Sequence, residues 1–245
     1  MIFKEVAYMR GTFQIGIVLI LLLAGCSNNS ITELQKRANS GDSEAEYQLA
    51  KRYLNGVGVE KDGFKGVQLA LSASGKGHVG ANQLLDSPEV IFVIGAVCYS
   101  MNDEEGNKRY KEALEYFLKA AKVGSVQAMS VLGHMYSRGQ GVEVNYEKAV
   151  EWWTLAAEAG EPEAQWNLGN SYNLGRGVTQ DYDKARKWYM ASIEKGDGSG
   201  ETSIGYMYYA GLGTPQNFSE AIKWYTKAAN KGYPNAQAKL GLAYV

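Results

Sequence analysis

Three observations predict an all-α fold, a solenoid of stacked helix pairs. The first is a fixed period. Gly133, Gly169, Gly205 and Gly241 stand 36 residues apart, and so do Ala149, Ala185 and Ala221; Trp152, Trp188 and Trp224; Gly160, Gly196 and Gly232. One spacing shared by four independent positions marks a repeated supersecondary unit. The second is the phase of small and apolar residues inside each unit, which follows the helical turn. The third is composition: 17 tyrosines, 5 tryptophans and 29 glycines against 4 prolines in 245 residues, the bias of a motif that supplies the same residues in every copy.

Each unit reads as two helices. Ala128, Leu132, Gly133 and Tyr136 fall within one arc of a helix, as do Ala164, Leu168, Gly169 and Tyr172, and again Gly200, Ile204, Gly205 and Tyr208. A Gly-x-Gly follows (Gly139/Gly141, Gly175/Gly177, Gly211/Gly213), which suits a left-handed C-terminal cap and a tight turn. The second helix opens at Asn145, Asp181 or Asn217, residue types whose side chains cap helix N-termini. Its predicted buried stripe is Tyr146, Ala149, Trp152, Trp153 and Ala156. Small residues let backbones approach and large aromatics fill the space between successive units. One pair cannot bury that stripe alone, so stacking supplies the stability.

Earlier copies are looser. The first, from Glu44 to Gly77, keeps Ala45, Leu49, Tyr53, Gly56 and Gly58 at matching places. The second keeps Ala81 and the back half from Tyr110 to Gly124. Ala81 to Ala128 is 47 residues, however, so about 11 are inserted between Asp86 and Asn107. Within them Pro88–Ser100 is apolar on all sides and reads as a buried helix, too short to span a bilayer. Tyr233–Val245 reads as a first helix without its second. The expected solenoid is therefore 38–245, divided at 38–77, 78–124 with 86–107 inserted, 125–160, 161–196, 197–232 and a terminal half repeat 233–245.

The N-terminus is a separate matter. Lys4 and Arg10 precede an apolar run from Ile15 to Ala24, which ends in Leu23-Ala24-Gly25-Cys26. Such a run makes about 15 Å of helix, half of what a bilayer core needs, so residues 1–25 read as a signal peptide, with Met9-Arg10 as a natural start. The Leu-Ala-Gly-Cys run resembles the bacterial lipobox, which implies that Cys26 is acylated and begins the mature chain, with 26–37 as tether. Each buried methylene contributes about 0.8 kcal/mol, so several acyl chains anchor firmly. By the same resemblance Ser27 implies the outer membrane, facing the periplasm. The alternative is an ordinary secretory signal with a chance cysteine. The mature chain holds 23 basic and 25 acidic residues, so no bulk basic field points to nucleic acid. With Cys26 lipidated only Cys98 remains, and no internal disulfide forms.

The pattern Ala-x-x-x-Leu-Gly-x-x-Tyr-x-x-Gly-x-Gly-Val, followed by Lys-Ala-x-x-Trp-(Trp/Tyr)-x-x-Ala, resembles the Sel-1-like repeat family, relatives of the tetratricopeptide repeats. The resemblance covers about residues 38 to 245. It implies a right-handed α/α solenoid whose first helices line a concave, protein-binding side. The chain departs from the branch that carries a disulfide in each repeat, since those cysteines are absent.

Positions that do not repeat carry the functional information, because packing explains repetition. Two, six and nine residues after the leading small residue lie Ser130, His134 and Ser137; Trp166, Asn170 and Asn173; Thr202, Tyr206 and Tyr209. The resemblance puts this row on the concave side. The candidate partner-binding residues are His134, Trp166, Asn170, Asn173, Tyr206 and Tyr209, aromatic anchors beside amide hydrogen-bonders. Trp166 has a second reading, packing between neighbouring units. Catalysis has little to stand on: the two histidines, His78 and His134, sit in different repeats, and no metal-ligand spacing, nucleophile motif or phosphate loop is present. No catalytic residue, cofactor or metal is expected. Asp103-Glu104-Glu105 reads as a solvated loop and Lys184 to Lys187 as an outer face. The expected function is a membrane-anchored interaction scaffold of the bacterial cell envelope, with a protein or peptide partner there and the membrane reached through the lipid. An immunity-type lipoprotein neutralising a delivered toxin is the alternative. A hydrolase akin to penicillin-binding repeat proteins comes third, lacking the cysteines and a nucleophile–base pair.

Overall fold

The computed structural model describes residues 31–101, 109–196 and 198–243, with side chains through Gly241. Cys26 and the signal segment, Asp103-Glu104-Glu105 and the final Tyr244-Val245 lie outside the described residues. All regular structure among the described residues is helical. The chain forms two compact units, one up to Val97 and one from Cys98 onward.

In the first unit, α1 (31–39) is followed by α2 (Ser43–Asn55), α3 (Gly63–Gly75) and the short α4 (Val79–Leu85), and then α5 (Pro88–Ser100) begins. Asp42 starts α2, its carboxylate accepting from the Glu44 and Ala45 amides. His78 starts α4: its Nδ1 accepts from the Ala81 amide at 3.1 Å, so its Nε2 carries the proton shared with Glu44 at 2.7 Å. Ala38, Ala45 and Leu49 make one small core, and Leu54, Val67 and Val90 another.

The inserted segment is a 13-residue helix as expected, and it holds a further feature. Val90, Ile94, Gly95 and Cys98 of α5 repeat the spacing of Ala128, Leu132, Gly133 and Tyr136, and Val90, Gly95 and Cys98 are buried. The first-helix motif of the second repeat therefore recurs in α5, where the sequence pattern had put it on Ala81. Ile-Gly in place of Leu-Gly, and Cys98 where the other copies carry tyrosine, hid it in a helix that is apolar on all sides.

The second unit continues with α6 (Tyr110–Lys122), α7 (Val126–Arg138), α8 (Tyr146–Glu158), α9 (Pro162–Leu174), α10 (Tyr182–Glu194), α11 (Gly198–Ala210), α12 (Phe218–Asn230) and α13 (Pro234–Ala243). α7 packs on α8, α9 on α10 and α11 on α12, and each pair rests on the next. The caps fall where the sequence puts them. Asn145, Asp181 and Asn217 accept from the amides of Lys148, Lys184 and Glu220 at 2.8, 2.9 and 3.0 Å. α7 and α9 close on Gly139 and Gly175, whose φ of 70° and 66° is the left-handed cap.

The glycine inside each first helix has a packing cause. A Cβ on Gly169 would lie 2.6 Å from the Tyr189 ring, and one on Gly205 2.7 Å from the Tyr225 ring; Gly133 faces Trp153 in the same way. The second-helix aromatic occupies the volume a side chain would need. Trp153, Tyr189 and Tyr225 are buried accordingly, with Ala149, Ala185 and Ala221 beside them. Tyr146 departs from the predicted stripe: it is 38% exposed, because the first residue of α8 sits at the rim of the stack.

Two buried carboxylates answer to lysines thirty residues further on. Glu46 meets Lys76 at 2.7 Å and Glu201 meets Lys231 at 3.1 Å, with both glutamates almost fully buried. Removing one partner of a buried pair leaves an uncompensated charge. Lys231→Met is expected to destabilise the chain by about 2 kcal/mol, reduced from the fully buried case because the lysine remains partly solvated. Urea denaturation checks this. Adding Glu201→Gln to Lys231→Met should recover most of the loss, and no recovery would refute the pairing.

Candidate functional site

The first helices α7 and α9 touch directly, and between them lies a groove of about 430 Å³. Its walls are Ser137 and Arg138 at the end of α7, Tyr146 and Trp153 of α8, Asn167, Asn170, Ser171 and Leu174 of α9, and Arg176 just beyond. Arg138 is the last residue of α7, and Arg176 stands between the two glycines that turn the chain after α9. The Arg176 guanidinium lies 5.8 Å from the centre of the Tyr146 ring.

The predicted row divides by neighbourhood. His134, Asn170 and Tyr206 hold one repeat position, beside the second-helix aromatics Trp153, Tyr189 and Tyr225. His134 presents its ring edge to Trp153 at 5.5 Å, and its Nε2 meets Glu163 Oε1 at 3.0 Å in the next repeat. Asn170 Oδ1 accepts from the Tyr189 hydroxyl at 2.7 Å. The third member differs: with Tyr206 in that place, the buried Tyr225 hydroxyl has no hydrogen-bond partner among the described residues. Burial pushes its pKa up to about 12. Trp166 is half-buried against Tyr189, Ile204 and Met207, and its indole N–H donates to Ser203 Oγ at 2.9 Å, which is the packing role between units. Asn173 Oδ1 is buried without a partner among the described residues, while its backbone carbonyl accepts from the Gln180 side chain at 2.8 Å. Tyr206 and Tyr209 stay open at 42% and 39% exposure, with Lys239 over the first ring and Phe218 edge-on to the second.

The sequence reading missed Arg138, Tyr146, Leu174 and Arg176 as groove residues. The signal was available. Arg138 corresponds to Leu174 and Ala210 in the next repeats, and Arg176 to Gln140 and Leu212, so both are non-repeating positions. They lie at a helix end and in a turn, outside the helix-face row of non-repeating positions.

The His134 hydrogen bond, ahead of burial, holds the Glu163 carboxyl below its ordinary value near 4.5. A depressed folded-state pKa contributes stability that is present above the unfolded value and lost as pH falls through the folded one. Glu163→Gln is therefore expected to shrink the acid-side loss of stability below about pH 4.5. Urea midpoints at pH 3.5 and 6 test this; an unchanged difference between them would count against the pair. Among the described residues no three His, Cys, Asp or Glu side chains gather as a metal site, and no helix is long and apolar enough to cross a membrane.

The Sel1 repeat model matches residues 43–78, 104–125, 126–161, 162–197 and 199–233. No curated protein matches the chain by sequence. Among solved structures, a protective antigen present in uropathogenic Escherichia coli strains is 33% identical, with a TM-score of 0.65 over 87% of this chain and 44% of that one. The chain thus spans less than half of the antigen's length. A Sel1 repeat protein from Oxalobacter formigenes is 26% identical, with a TM-score of 0.63 over 87% of this chain and 89% of that one. An immunity protein from Pseudomonas aeruginosa aligns at 23% identity and a TM-score of 0.40 over 85% of this chain and 72% of that one, too loose a superposition to speak to what this chain binds.

Proposed function

Because the chain belongs to the Sel1 repeat family, whose repeats mediate protein–protein interaction, we propose that it is an interaction scaffold tethered to the bacterial envelope through acylated Cys26. The tether places it at the outer membrane, facing the periplasm, and its partner is a protein or peptide of the envelope. The observation that supports this reading is the first-helix face of the second unit. It offers a groove of about 430 Å³ between α7 and α9 and two half-open tyrosines, Tyr206 and Tyr209, on α11. Rigid aromatics with a polar tip beside a groove lined by both polar and apolar side chains suit a protein surface more than a small molecule. Trp166 serves this face by holding successive repeats in register, and Asn170 by tying α9 to α10 within its own repeat.

Two measurements test the proposal. Cys26→Ser is expected to abolish palmitate incorporation and move the protein from the membrane to the soluble fraction; a variant that stays on the membrane would end the lipoprotein reading. A photo-crosslinking residue at Tyr206 or Tyr209, compared with one at the exposed Lys187, is expected to trap an envelope partner only from the tyrosine positions. Adducts from Lys187 alone would move the binding face to the second helices.

A further inference from the structure

The groove between α7 and α9 has a polarity of its own. Two arginines line it and no acidic residue does, in a chain whose formal charge is −1. Arg138 and Arg176 are exposed, and neither takes part in an ion pair among the described residues. Glu163 lies within the field of Arg138 but is hydrogen-bonded to His134. Asn170 adds to the bias. Its carbonyl oxygen is committed to the Tyr189 hydroxyl, so its amide N–H₂ remains as donor. Beside these donors the groove is apolar: Trp153 forms part of its floor, Leu174 is 53% exposed and Tyr146 38%.

We propose that this groove holds an acidic side chain of an extended peptide, with Arg138 and Arg176 taking its carboxylate and Tyr146 and Leu174 an adjacent apolar residue. This rests on the reading of the first-helix face as the binding face. Guanidinium groups suit a carboxylate because their planar donors match its two oxygens. A cation stacked on Tyr146 is held at the mouth instead of sweeping through solvent, which lowers the entropic cost of capture. The occupant is a protein segment because the apolar wall runs alongside the charged end, a pairing that a free anion would leave unused.

The experiment is selection of a random heptapeptide display library on the full chain and on an R138Q/R176Q variant. Both substitutions lie on the exposed rim, and circular dichroism checks that the variant keeps its helix content. The wild type is expected to enrich peptides with Asp or Glu next to an aromatic or aliphatic residue. The leading peptide, made synthetically, should bind roughly tenfold more weakly or worse to R138Q/R176Q, and lose as much when its acid is changed to the amide. Enriched peptides that lack acids, or that bind the variant equally well, would overturn the acidic occupant. If Tyr206→Ser/Tyr209→Ser still removed those peptides, the first-helix face would stand as the binding face. No enrichment on wild-type protein would overturn both.

Discussion

Tyr189→Ala is expected to destabilise the protein by about 4 kcal/mol, the range for emptying a fully buried aromatic site. Tyr189 is 2% exposed, and its ring fills the volume left by Gly169 while packing with Ile204 and Met207 of the following pair. Removing it opens a cavity at the joint between two repeats, where neither pair can collapse without losing the other. In a chain of this length the melting temperature should fall by roughly 10 °C. Tyr189→Phe separates ring from hydroxyl. It should lose about 1 kcal/mol, because Asn170 Oδ1 is left without its donor. Tyr225→Phe is the contrasting case. Its hydroxyl has no partner to lose among the described residues, so the substitution should be neutral or slightly stabilising. Equal losses for the two Tyr→Phe variants would show that Asn170 does not set the difference.

The second large effect is at Gly177, where alanine should cost about 4 kcal/mol. Two causes add. Its φ of 73° is a left-handed conformation that costs any L side chain about 1 kcal/mol. A Cβ there would also run into the Tyr146 carbonyl, backbone that cannot rotate aside. Gly196→Ala is the control, because Gly196 has a φ of 93° but nothing within 4 Å of the added carbon. It should show the conformational cost alone. Urea denaturation of the two variants measures the difference, and similar losses would mean that the turn does not seat against α8.

The two substitutions show how differently parts of this fold are written into the chain. Gly177 was legible as a turn glycine from its repeat position, yet its contact with the start of α8 thirty residues earlier was not. The predicted first-helix row was legible as a row. Its division into open tyrosines and packed Trp166 was not, because Trp166 is engaged by Ser203 of the following repeat, and nothing near Trp166 in sequence announces that neighbour. The Glu46–Lys76 and Glu201–Lys231 pairs repeat one spacing, so charges at matching places were legible in the sequence. Arg138 and Arg176 were legible as non-repeating residues of a helix end and a turn.

By itself the sequence determined the helix pairs, their caps at Asn145, Asp181 and Asn217, the left-handed turns and the membership of the fold class. These depend on contacts within a turn or two of helix, which spacing and residue type reveal directly. The tertiary structure alone decided which non-repeating residues face a groove, that Asn170 satisfies Tyr189 while Tyr206 leaves Tyr225 unsatisfied, and that α5 carries a second copy of the first-helix spacing in a buried, all-apolar form. Exposure and hydrogen bonding at those places are set by residues of adjoining helices and repeats. A periodic pattern says that such neighbours exist, and only their packing says what they leave open.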